Sequence, residues 1–397
     1  MPLTVAVTGQ ILVHNPLDLS GEGQRQVIDF LKADAVFGNL EASVETRFGW
    51  PTKTKTLHLA SPAAMQSVRD LGFHAVTHAN NHAFDLGPPG IGATHAAVKS
   101  VGLKITGSGA TIGQALAPAI IQAPGGADGK SLAVFSVDLG PQPDIAYASA
   151  DRAGIAPLRM QRVISVPPAE FDVLRQLNHD LGDDRRMAAR AAVGYEARQL
   201  SDLTIFGTVI VSGSQIAARW IPNEEDLARL LSGIAGAKTA GHLVALAIHT
   251  HHWEPDWSET PAWLLDLCRE LIDQGVDLVL GTGAPVMQPI VFHRGKAILP
   301  GLGNFVFHTR RPAVYDDHDV DVWHSAALRL TLCDDGTCLA LSVLPLAVGR
   351  PGSAGPALGP VPAPARQAER IRDRALSGLG DTTPFCGQIL DPIDFPG

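Results

Sequence analysis

The sequence predicts an α/β protein, and three features point there. Short apolar strands alternate with helical stretches from the N-terminus to about Leu346, each strand closes on a polar or glycine turn, and no internal repeat of fixed period interrupts the pattern. At 397 residues, 45% hydrophobic and 18% charged, the chain has material for a sizeable core and is neither a disordered nor a coiled-coil composition.

Taken in order, LTVAVTG reads as the first strand, GQRQVIDFLKA as a helix and AVFGNLE as a second strand ending in a polar turn. Ser61-Pro62 opens a helix through Leu71, with Ser61 as N-cap and Pro62 at the first helical position. HAVTHAN is a strand, Gly90 to Val101 a helix, and LKITGSG a strand closing on glycines. From about Pro141 to Gln199 the pattern is less regular, holding a helix (PPAEFDVLRQLNHDL) and a charged stretch (GDDRRMAARAA). Asn223 caps the helix NEEDLARLLSGIAG, whose first turn is acidic. The strands HLVALAIH, VDLVLGTG, AILPGLGNFVF and AALRLTL follow. These elements make one domain over residues 1–346, while residues 347–397 form a Gly/Pro-rich linker, a short helix (RQAERIRDRAL) and a tail.

Charge and composition narrow the partners. Lys and Arg number 31 against 40 Asp and Glu, a net charge of −9 with 15 His, and no basic run occurs. Phosphate neutralisation needs clustered cations, so nucleic acid and anionic membranes are excluded as main partners. No run of 18 apolar residues predicts a membrane span, and no cationic leader precedes the first strand, so the expected location is cytoplasmic. Four cysteines are too few for a disulfide scaffold. Cys333 and Cys338 flank a tight hairpin signal, Asp334–Thr337, and are expected to be reduced. A homo-oligomer is left open.

Chemistry concentrates at strand ends. His78, Asn80, Asn81, His82 and Asp85 fall within eight positions at a strand-to-helix turn, more than turn preference alone accounts for. Amide oxygens and imidazole nitrogens there suit a metal or a substrate. Asn39-Leu40-Glu41 places a carboxylate after another strand. In Ile248–Glu254, residues i and i+2 share a face, so His249 and His251 grip one ion if the strand persists, while His252 points away. Gly301–Phe305 suits a close backbone approach around Asn304. Arg47, Lys53, Lys55 and His58 gather cations suited to an anionic substrate, and Tyr315–Asp321 is an acidic run, either solvated surface or a cation holder. Gly107–Gly113 mimics a dinucleotide fingerprint but lacks the acid that should end a following strand, so no nucleotide cofactor is expected.

The order NLE, ANNHAFDLG, GSG, AGIAPLR, IHTH, DLVLG…VMQPI and LGNFVF resembles the CapA family, named for poly-γ-glutamate capsule synthesis, over roughly residues 4 to 310. That family's fold is similar to the calcineurin-like metallophosphoesterases, which implies a β-sandwich flanked by helices (αββα). By position, the resemblance implies Glu41, Asn81, His249 and His251 as metal ligands with Gln10 beside them, and His82 as the acid that protonates a leaving atom, oriented by Asp85. Mixed oxygen and imidazole donors suit Mn, Zn or Fe. Two departures stand out. Gly9-Gln10 replaces the usual Gly-Asp, and Thr282 and Pro285 stand where the pattern has histidines. One ion is therefore expected rather than two.

The resulting expectation is a metal-dependent hydrolase of an anionic small molecule, cleaving an amide, ester or phosphoester bond with metal-activated water. Asn39, Asn80, Arg47, Lys53, Asn304 and His252 are assigned to substrate contact. The alternatives are a non-catalytic binder of poly-γ-glutamate-like polyanions with a degenerate metal site and, less favoured, a metal-dependent lyase on the same scaffold.

Overall fold

This computed structural model describes residues 2–123, 130–142, 145–195, 203–349, 357–380 and 387–391. The close of the irregular stretch (196–202), the start of the Gly/Pro-rich segment (350–356), Cys386 and the end of the tail lie outside them. The chain divides into two compact units, one of residues 1–158 with 228–397 and the other of residues 159–227. The sequence reading draws its boundary at residue 346; the two compact units meet after Leu158 and before Ala228.

In the larger unit, Leu3–Leu12, Ala35–Leu40, Ala75–Thr77 and Lys104–Thr106 lie side by side and parallel, and the hairpin of His324–Leu332 and Cys338–Ala347 extends the sheet past Leu3–Leu12. A second sheet runs in the order Val291–His293, Lys296–Leu299, Leu278–Thr282, Leu243–His249, Ser131–Asp138, Ala119–Gln122, its middle four strands parallel. Alternation along each strand sorts side chains into layers. Leu3, Val5 and Val7 meet Leu132, Val134, Leu243, Ala245, Leu278 and Leu280 of the other sheet in one core. Ala6, Ile11 and Val36, on the opposite face, meet Val27, Met65, Val68 and Val98 of the helices Glu22–Phe30, Ala64–Asp70 and Gly87–Ser100. Helix Glu224–Thr239 lays Gly233 against Phe135 on the far side of the second sheet, and helix Ala262–Asp273 lies against Leu278–Thr282. The result is the expected αββα sandwich.

Two local readings change and two hold. Ser61 does not cap a helix: the chain turns first, Ala64 N–H donating to Ser61 O, and the helix begins at Ala64. Asn223 does cap, its Oδ1 accepting from Asp226 N–H at 3.1 Å. AILPGLGNFVF is two strands in different sheets, Lys296–Leu299 and Asn304–Phe307, because Pro300–Gly303 carries the chain from one layer to the other. Cys268, Cys333 and Cys338 are free thiols.

The smaller unit accounts for the irregular stretch. Its sheet runs Leu203–Ile205, Thr208–Ser212, Met160–Val166, Ala217–Pro222, and Val166, Leu203, Ile205 and Ile210 pack under Phe171 and Leu174 of helix Pro168–Asp180. Arg159 donates to both carboxylate oxygens of Asp226, at 2.7 and 2.8 Å. Among the described residues no helix is long and apolar enough to cross a membrane.

One glycine sets how closely Leu3–Leu12 and the turn before Asn304–Phe307 approach. A Cβ on Gly9 would stand 1.9 Å from Gly303 O, where Gln10 N–H donates to the same carbonyl at 3.0 Å. Gly9→Ala is therefore expected to cost about 3 kcal/mol through forced separation of the strands. Urea denaturation checks this, and a loss below about 0.5 kcal/mol, the range of surface substitutions, would contradict it.

Candidate functional site

Parallel strands bring their C-terminal ends together, and both sheets end in polar residues. In the first, Gln10 stands in register with Asn39 on one neighbour and Asn304 on the other. In the second, His249 lies in register between Asp138 and Thr282. All are buried. A buried polar row needs partners, and their identity shows what each residue does.

Glu41, His249 and His251 can each point one ligand atom into a common space, these atoms lying within 4.8 Å of one another. His249 Nε2 is 3.1 Å from Asn81 Oδ1 and 3.1 Å from His251 Nε2. Its Nδ1 is 3.0 Å from Thr282 Oγ1, which has the Ile248 carbonyl 3.5 Å away to receive the hydroxyl proton. With Nδ1–H donated to Thr282, the Nε2 lone pair would be left to a cation held between it, Asn81 Oδ1 and His251. Burial pushes Glu41 up to about 8 and His249 down to about 3, and it holds His251 well below the ordinary imidazole value with His249 adding to the effect. Acceptors have been gathered and positive charge is what the cluster lacks. One carboxylate, one amide oxygen and two neutral imidazoles fit a divalent transition ion.

The route by which His251 arrives differs from expectation. The strand stops at His249, and a loop carries His251 into place: its N–H donates to Gly140 O at 3.0 Å and its ring stacks on Trp253 with centroids 4.7 Å apart. Gln10 reaches the cluster through Glu41: its amide NH2 donates to Glu41 and its Oε1 accepts from Gly283 N–H at 3.3 Å, so it ties that carboxylate to the loop after Thr282.

Beside the cluster lies a second network. His82 Nδ1 is 2.9 Å from Asp85 Oδ2, which also accepts from His58 N–H at 2.7 Å. Lys53 forms an ion pair with Asp85, both side chains being fully enclosed, and its Nζ donates to Asn81 O at 2.5 Å and lies 3.3 Å from His82 Nδ1. Burial first, then the Lys53 charge, holds His82 well below the usual imidazole range. With Nδ1 held against Asp85, Nε2 is the ring atom left to exchange a proton.

The residues assigned to substrate contact divide sharply. Asn80 is internal wiring, Oδ1 accepting from His82 N–H at 3.0 Å and Nδ2 donating to Asn39 Oδ1 and Leu40 O at 3.0 and 2.8 Å. Lys53 is the counter-ion of Asp85 and faces no solvent. His252 is buried, its Nε2 donating to Leu139 O at 3.3 Å. Asn304 Nδ2 donates to Val322 O at 3.1 Å. Arg47 stays on an exposed loop over the Phe48 ring, outside the cluster. Exposed Lys55, by contrast, is close enough for its charge to reach Glu41, His249 and His251.

Sequence reasoning missed a run of imidazoles. His14 Nε2 is 3.2 Å from His58 Nδ1, His14 N–H donates to His308 Nδ1 at 3.0 Å, and the His58 ring packs edge-on against His82 with centroids 4.2 Å apart. His58 stands out in the sequence only as part of a cationic group, and His14 and His308 lie in distant segments, so no spacing signal joins the three. Thr282, read as a lost ligand, proves to be the group that fixes the His249 tautomer.

Residues 4–309 match the family described as bacterial capsule synthesis protein PGA_cap. The protein y4sH of Sinorhizobium fredii is 27% identical over 338 residues, 80% of this chain and 70% of that protein. The PGA biosynthesis protein CapA of Bacillus subtilis is 22% identical over 285 residues, covering 70% of this chain and 54% of its own length. A crystal structure described as a novel phosphatase from Mycoplasma pneumoniae aligns with a TM-score of 0.43 at 10% identity, over 87% of this chain and 94% of that one. With three quarters of its length inside the family match, the chain belongs to the bacterial capsule synthesis protein PGA_cap family.

Proposed function

We propose that the protein is a metal-dependent hydrolase acting on an anionic small molecule through an amide, ester or phosphoester bond. The convergence of Glu41, Asn81, His249 and His251 on one space, beside the His82–Asp85 pair, carries this reading. These four residues would hold the ion, Gln10 and Thr282 supporting two of them. A divalent cation bound there lowers the pKa of water and polarises a carbonyl or phosphoryl oxygen. His82 takes up a proton on Nε2, Asp85 orients its ring, and Lys53 balances the Asp85 charge. Lys55 supplies positive potential for an anionic substrate. The name of the Bacillus subtilis relative, which refers to PGA biosynthesis, supports an anionic substrate class.

The purified protein is expected to carry near-stoichiometric Mn, Zn or Fe by elemental analysis. Because burial holds Glu41 at about 8 while His249 and His251 are already neutral, metal binding at pH 7 should release about one proton, taken from Glu41. Calorimetry in buffers of different ionisation enthalpy measures this, and Glu41→Gln should remove it. The sign for stability follows from the raised value: in metal-free protein the Glu41 contribution is whole below 4.5 and is lost as pH rises through about 8. Failure to bind any of these metals would end the proposal.

A second reading, a non-catalytic binder of poly-γ-glutamate-like chains, is favoured by one observation. Thr282 and Pro285 replace histidines and the row Asn304–Gln10–Asn39 is uncharged, so a second ion has no carboxylate there. Titration with oligo-γ-glutamate showing tight binding and no turnover would select it.

A further inference from the structure

A groove of about 1340 Å³ adjoins the metal centre, with Trp257 and Tyr315 in its wall. The Trp257 ring lies 4.6 Å from that of Trp253, which stacks at 4.7 Å on His251. Tyr315 lies within reach of the Glu41 charge. One aromatic layer therefore separates the groove from the metal ligands.

The groove is lined by charges of both signs, supplied by different elements. Helix Ala365–Leu376 contributes Arg370 and Arg374, four residues apart and so on one face. Loops contribute Asp256 and Asp321, the latter also bonded to His324 at 2.7 Å. Asp321 sits in the field of Arg370 and Asp256 in that of Arg374, so each acid is coupled to a base of the helix. Asp319 and Asp373 line the groove as well, so four acids face two arginines. A purely anionic ligand is repelled by the majority and a purely cationic one by the arginines, whereas a ligand carrying both signs can set each end against its opposite. The aromatic rings between offer flat apolar surface for amide planes and short hydrocarbon side chains.

We propose that this groove binds a short peptide-like chain with a free ammonium at one end and a carboxylate at the other, and leads it to the metal centre. The second clause rests on the hydrolase reading above; the binding itself needs no metal. Extended peptides of two to five residues span roughly 7 to 17 Å, so the length of peptide bound best reports the length of the groove.

The test titrates the full chain with unblocked alanine peptides of two to five residues, followed by tryptophan fluorescence and calorimetry. Saturable binding is expected, weakened about fivefold when the amino end is acetylated or the carboxyl end amidated. Arg370→Gln with Arg374→Gln should abolish the sensitivity to amidation, and Asp256→Asn with Asp321→Asn the sensitivity to acetylation. Circular dichroism confirms that the four exposed substitutions leave the fold intact. The chain stripped of metal by chelator should bind the peptides as the untreated chain does, which separates this result from the fate of the metal reading. Absence of saturable binding, or equal affinity for blocked and unblocked peptides, would overturn the proposal. So would binding of oligo-γ-glutamate alone, which would make the groove a polyanion site.

Discussion

His249→Ala is expected to yield a folded protein that no longer retains a transition metal. The His249 Nε2 atom is the hub of the centre, within 3.1 Å of both Asn81 Oδ1 and His251 Nε2. Without it the remaining donors are a carboxylate whose pKa burial raises to about 8, the neutral Asn81 amide oxygen and an imidazole on a loop. Losing a supporting partner of a ligand typically costs about 10–100-fold in metal affinity, and losing the ligand itself costs more. Thr282→Val, which removes only the acceptor of His249 Nδ1–H, should therefore fall between the alanine variant and the unaltered chain. The readout is thermal. Metal at about a thousand times its Kd adds about 4 kcal/mol to a protein that binds it only when folded. The melting temperature of the unaltered chain should rise accordingly, and that of His249→Ala should not move. An equal rise in both would place the ion elsewhere.

The second expectation concerns Lys53, whose replacement by methionine should cost about 3–5 kcal/mol in chemical denaturation. The loss comes from what is left behind. Asp85 is fully buried, and with Lys53 gone its carboxylate keeps only the His58 N–H and the neutral His82 ring as partners. Burial already raises the Asp85 pKa, with Lys53 the first of the groups that oppose the rise. In Lys53→Met the carboxyl should therefore protonate and the stability deficit should shrink at low pH, where the stranded charge is removed. Pairing the variant with Asp85→Asn should recover part of the loss, as a double-mutant cycle would show. A loss under about 1 kcal/mol, the value of an exposed pair, would mean that the pair is solvated in solution.

How much of this was legible depends on whether the signal is local. The clusters His78–Asp85 and Ile248–Glu254 stand out in the sequence because several chemically active side chains crowd one strand end, and the structure brings both together. Lys53 and Arg47 look alike in sequence, six positions apart in one polar loop, yet one is sealed against Asp85 and the other lies over an exposed ring. Nothing local distinguishes them, since burial of Lys53 is decided by Asn81, His82 and Asp85, about thirty positions away. The same holds for Thr282. A hydroxyl in place of an expected imidazole reads as a loss, and only the neighbouring strand, which supplies His249 in register, shows that it orients a ligand. The αββα layering was implied by family resemblance rather than by periodicity, because alternation identifies buried faces without saying which sheet covers which. The inserted unit at 159–227 was masked by its composition, charged helices beside short strands.

The Asn81–His249 contact joins residues 168 positions apart, and Gln10 reaches Gly283 across 273. Contacts of such range form late, after the two sheets have condensed and the entropy of closing the intervening chain has been met. The ion therefore has no early nucleus to organise, unlike the metal of a zinc finger, which makes its own fold. Newly made chains should complete their sandwich in chelator and acquire metal afterwards, so that occupancy follows the supply of ion at the end of folding rather than deciding whether folding succeeds.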